Sequence, residues 1–119
     1  MATINESGYK TFTATAVALS QNVRVLLDSS GTVSVAGATD DWIGTVTTDV
    51  AASGRATVRL RNAPGTFFMV ASAAIAVGDA ISATAAGKID DGTAEGGAMT
   101  FEALTAATAD NDIIEVVAN

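Results

Sequence analysis

The 119-residue chain reads as an all-β protein: a small β-barrel or β-sandwich-like domain over residues 15–119, preceded by an extended N-terminal arm over residues 1–14. Three observations predict this. Turn-forming Gly, Asp, Asn and Ser recur at about the eight-to-twelve-residue spacing of sandwiches and barrels. Thr and Val, which suit a pleated, half-buried surface, are abundant. No window carries an apolar stripe at helical period over three turns.

In chain order, residues 1–14 are polar and without a clear period, hence the arm. Val23–Leu27 is the first apolar strand. Asp28-Ser29-Ser30-Gly31 is a turn, and the alternating Thr32–Ala36 completes a hairpin. Gly37–Asp41 is a loop and Trp42–Val46 the next strand. Arg55–Arg61 alternates cleanly, with Ala56, Val58 and Leu60 on one face and Arg55, Thr57, Arg59 and Arg61 on the other. Asn62–Gly65 turns the chain into Thr66–Ala71, whose nearly unbroken apolar run predicts burial on both faces. Val77–Ile81 leads into a short strand, Ala85–Lys88 turns, and Ile89 begins the return. Asp90–Gly97 is a Gly-rich acidic loop. Met99–Leu104 and Ile113–Val117 are the last strands, joined by a loop or helical turn over 105–112. No repeat of fixed period stands out, and no linker marks a second domain.

Composition narrows the function. Nearly half the chain (49%) is hydrophobic, but much of that is alanine, so association with further surface would supplement a modest core. With no Cys and no His, the chain lacks disulfides, thiol nucleophiles, thiolate metal sites and the commonest general base. A net charge of −7 opposes both nucleic acid, whose binding is driven by neutralising phosphates, and anionic membrane surfaces. Met1–Ser7 has neither a basic nor an apolar signal region, and no apolar run is long enough to span a bilayer. The expectation is a soluble protein made in the cytoplasm.

Chemistry-bearing constellations are sparse. The carboxylate pairs Asp40/Asp41, Asp90/Asp91 and Asp110/Asp112 suit turns better than metal sites. Asp90–Glu95 has pieces of a calcium loop without its spacing. A serine nucleophile would need Lys10 or Lys88 as its base, and these sit in the arm and in a turn. No nucleophile elbow, Walker A loop or dinucleotide fingerprint is present. No catalytic, cofactor-binding or metal-binding residue is therefore assigned. The sharpest feature is the row Arg55, Arg59 and Arg61 on one strand face, which is either solvated or a contact surface for an acidic partner. Trp42 is a core or interface anchor. Phe67, Phe68 and Met69 are core by default, with one face open to cover by another subunit. With Tyr9 and Phe12 of the arm, these residues make up the candidate interface.

The order of features resembles the small capsid decoration, or cement, proteins of tailed phages. The resemblance rests on Val33-Ser34-Val35, Trp42-Ile43-Gly44-Thr45-Val46, Val58-Arg59-Leu60, Ile75-Ala76-Val77-Gly78-Asp79-Ala80-Ile81 and Ala86-Gly87-Lys88-Ile89, and it spans most of 23–117. It implies a compact β-barrel-like domain on the virion exterior. Such a domain binds the major capsid protein and copies of itself as a homotrimer, bridges capsid subunits after expansion and has no enzymatic role. Gly78-Asp79 is also similar to a biotinyl or lipoyl carrier barrel, but Lys88 lacks that family's flanking residues. The alternatives are another virion module, such as a head fibre or tail component, and a carbohydrate- or calcium-binding β-module.

Overall fold

The structure is a computed structural model that describes residues 7–91 and 98–118. Among the described residues the regular structure is ten strands and one 3-10 turn (Ala85–Gly87): β1 (Tyr9–Ala14), β2 (Arg24–Leu27), β3 (Thr32–Val35), β4 (Gly44–Val46), β5 (Arg55–Leu60), β6 (Thr66–Val70), β7 (Ala80–Ala83), β8 (Ile89–Asp91), β9 (Ala98–Ala103) and β10 (Ile113–Ala118). The expected all-β class is what the chain adopts. β1–β5 form a closed barrel in the order β1-β3-β2-β4-β5, and β6–β10 form a five-stranded sheet in the order β6-β10-β9-β7-β8.

The arm divides. Tyr9–Ala14 is β1, a full member of the barrel, paired antiparallel with β5 from Tyr9↔Arg59 to Thr13↔Arg55 and parallel with β3 at Thr13↔Thr32 and Ala14↔Val33. Residues 1–6 of the expected arm and 92–97 of the acidic loop lie outside the described residues. β6 also differs from expectation. Phe67, Met69 and Val70 are buried, but Phe68 is 58% exposed, so the face that carries Thr66, Phe68 and Val70 is open at Phe68 and covered at Val70.

The barrel and the second sheet are two copies of one topology. If β1–β5 are matched in order with β6–β10, the antiparallel pairings coincide: β1·β5 with β6·β10, β2·β3 with β7·β8, β2·β4 with β7·β9, and β4·β5 with β9·β10. The parallel closure of β1 on β3 has its counterpart in the parallel bridge Ala71↔Ile89. The reciprocal bonds that join Leu19 and Val50 recur between Ile75 and Ala107. Asn22 N–H donates to Val46 O in the first unit, and Gly78 N–H to Ala103 O in the second. Left-handed backbone recurs at matching turns: Gly8 with Gly65, Asn22 with Gly78, Ser53 with Asn111.

Each unit has its own core, and the two interlock. Val25, Val33, Val46, Val58 and Ala56 fill the barrel, together with Val70 from β6. Phe67, Met69, Ile81, Ile89, Phe101, Ile114 and Val116 fill the second core, which also takes in Ala36 and Trp42 from the first unit. Arg24, on β2, is fully buried. Its guanidinium donates to Thr84 O (2.7 Å) and Lys88 O (3.0 Å) beside the β7–β8 turn. Burial pushes its pKa down to about 10, with nearby Asp40 opposing the shift. The turn approaches the barrel closely: Gly87 N–H donates to Ala36 O, and a Cβ on Gly87 would lie 2.8 Å from Arg24 O.

Candidate interaction surface

Strand alternation places the solvent-facing members of the candidate interface. In the first unit the outward side chains are Tyr9, Thr11 and Thr13 on β1 and Arg55, Thr57 and Arg59 on β5, directly paired across the two strands. Each basic residue in the row has a different environment. Arg59 is pinned: it donates to Tyr9 Oη at 2.8 Å and to the Pro64 carbonyl, and its guanidinium lies 4.7 Å from the Phe67 ring centroid and 5.3 Å from that of Tyr9. It ties the barrel to the second unit. Arg61 pairs with Asp41 at 3.2 Å, both exposed, so the pair adds little stability. Arg55 is exposed at the end of the row and borders a shallow depression of about 260 Å³ with Thr11, Phe12, Thr13 and Gly31. The three arginines therefore do not act as one basic patch.

Three of the expected interface residues belong to the core instead. Trp42 is 7% exposed, Phe67 1% and Met69 0%. Trp42 and Phe67 both pack on Phe101, with ring centroids 5.7 Å apart in each case. They offer almost no surface to a partner because the second core is built around them. Phe12 is half-buried against the barrel core. Tyr9 and Phe68 remain open, 42% and 58% exposed, and border one depression of about 370 Å³ with Thr45, Thr47, Arg59 and Thr66. The outward faces of the two units thus form one continuous surface.

The second unit adds residues that the sequence did not single out. Ile113 is 52% exposed, Leu104 39% and Val77 65%. Glu115 lies among them, opposite Phe68 in the ladder, and its carboxylate accepts a hydrogen bond from Thr66 Oγ1 at 2.6 Å. Matching the two units pairs Gln21 with Val77, Thr47 with Leu104, Thr11 with Phe68 and Arg55 with Ile113. At each of these places the first unit is polar or charged and the second apolar. The buried positions stay apolar in both units, as at Leu19 and Ile75, Val25 and Ile81, and Val58 and Val116, so the difference is confined to the outward face.

Two carboxylates are held in their charged form by turn geometry. Hydroxyl hydrogen bonds from Thr32 and then Ser30, with their backbone N–H groups, push Asp28 down to about 2. Thr108 N–H and Oγ1 and Ala109 N–H hold Asp112 below the usual carboxylate range. Both are structural turn residues. Among the described residues no group of three His, Cys, Asp or Glu side chains is placed to hold a metal ion, and no helix is long and apolar enough to cross a membrane. No family model and no curated protein matches the chain.

Proposed function

We propose that the chain is a structural decoration protein that binds the outer surface of a tailed-phage head, bridges capsid subunits and stabilises the expanded shell in a homo-oligomeric, trimeric form. The observation that carries the reading is the broad outward surface shared by the two units. It displays Tyr9, Phe68 and Arg55 on strands tied into their sheets by ladder bonds, β1 and β5 from both sides and β6 from β10. Aromatic and arginine side chains on a rigid scaffold are what protein interfaces favour. The order of Gly-Asp and Ala-Gly-Lys motifs described above supports the same reading. A rigid element also loses little conformational entropy on docking.

The reading is tested by co-sedimentation of the full chain with expanded, undecorated heads of the phage that carries its gene. Saturable binding at a fixed ratio of chain to major capsid protein is expected, and heads so decorated should survive heating that opens bare ones. Heads that sediment without the chain at every concentration would exclude the proposal.

A further inference from the structure

The duplication supplies an internal control for the outward surface. Both units build the same face from the same strands. Apart from Val70, which packs into the barrel core where its counterpart Thr13 is exposed, a side chain that the strand fold itself required there would therefore recur in both. The first unit is polar at Gln21, Thr47, Thr11 and Arg55. The fold therefore does not require Val77, Leu104, Phe68 and Ile113, which leave an apolar cluster 39–65% exposed in the second unit. An exposed patch of this kind, rimmed by polar groups, marks a contact site.

The charge distribution indicates what covers it. Residues 8–62 carry five Lys or Arg against four Asp, whereas residues 65–118 carry one Lys against eight Asp or Glu. The chain's net negative charge thus resides in the second unit, and the patch has Glu115 at its centre and the exposed Glu102 beside it. Two second-unit faces would repel each other. The first-unit face offers the complement: Arg55 is exposed and, among the described residues, has no ion-pair partner, and it is flanked by small Thr11 and Thr13 that leave room for larger side chains.

We infer that copies of the chain associate through this surface, with the apolar, acidic face of the second unit (Phe68, Leu104, Ile113, Glu115) packed on the first-unit face of the next copy, which carries the exposed Arg55 beside Thr11 and Thr13. A closed ring of these head-to-tail contacts, such as the trimer proposed above, satisfies every patch without leaving an open end. The inference refines the self-assembly part of the proposed function. It is measured without any shell present, so failure of self-association and failure of shell binding are read separately.

The test is light scattering and sedimentation of the full-length chain up to about 100 μM, well above the micromolar range of weak specific interfaces. Concentration-dependent oligomers are expected. Phe68→Ser, at an exposed position, should weaken association at least about tenfold with the far-UV circular dichroism unchanged. Arg55→Glu and Glu115→Arg should each weaken it by about tenfold or more, and the double variant should regain most of the loss. A wild-type chain that stays monomeric across this range overturns the inference. So does association that these variants leave unchanged, and so does a double variant no stronger than either single one.

Discussion

Gly44 shows how tightly single residues are held. A Cβ there would lie 2.1 Å from the Arg59 carbonyl oxygen and 2.8 Å from Val58 Cγ1. The β4–β5 ladder leaves no room to relax, so Gly44→Ala should cost about 1–3 kcal/mol of unfolding free energy in chemical denaturation. Arg24 lies on the adjacent strand β2, next to Val25, the ladder partner of Gly44. Arg24→Ala would remove the donors to Thr84 O and Lys88 O and leave a void between the units. A loss of about 2–4 kcal/mol is expected by the same assay. Asp28 and Asp112 contribute to the acid response. Their folded-state pKa values are depressed, so the stability they contribute is present above the unfolded carboxylate value and is lost as pH falls through the folded one. For Asp28 the window runs from 3.8 down to about 2. Thermal melts of Asp28→Asn should therefore show a smaller decline over that interval than wild type.

At the scale of elements, strands that bury one face against polar alternation are legible in the sequence. β5 is the clearest case: Ala56 and Val58 are buried between the exposed Arg55 and Thr57. The Asp28–Gly31 turn was equally readable because its side chain-to-backbone bonds are local. β1 is not, because its outward residues Tyr9, Thr11 and Thr13 are polar and, of the alternate ones, Lys10 is exposed, Phe12 half-buried and only the small Ala14 fully buried. Its membership depends on β5 and β3, which are remote in sequence. The interface residues divide for a related reason: Phe67 and Phe68 are neighbours in sequence but point to opposite faces, and only the three-dimensional packing shows which face is covered. The unbroken apolar run of β6 concealed this, since Val70 faces the barrel core while Phe68 faces solvent. The repeat is hard to read from the sequence because its matched core positions share only apolar character, as at Val25 and Ile81 or Val33 and Ile89, and not residue identity.

At the scale of the whole molecule, two copies of one unit have become structurally interdependent. Trp42 of the first unit sits in the second core, Val70 of the second in the first, and Arg24 binds the β7–β8 turn. The chain should therefore unfold in one cooperative transition, with Trp42 fluorescence and far-UV circular dichroism giving coincident denaturation curves. Separate midpoints would mean that the units fold independently. The same arrangement presents an outward surface that is basic at one end and apolar and acidic at the other, which is the basis for a role in assembly. Electron cryomicroscopy of expanded heads incubated with the full chain tests that role most directly. The account predicts added density at symmetry-related positions on the outer shell, bridging neighbouring capsid subunits, into which the paired five-stranded units fit. Shells that stay bare at saturating chain, with the capsid lattice otherwise intact, would contradict it.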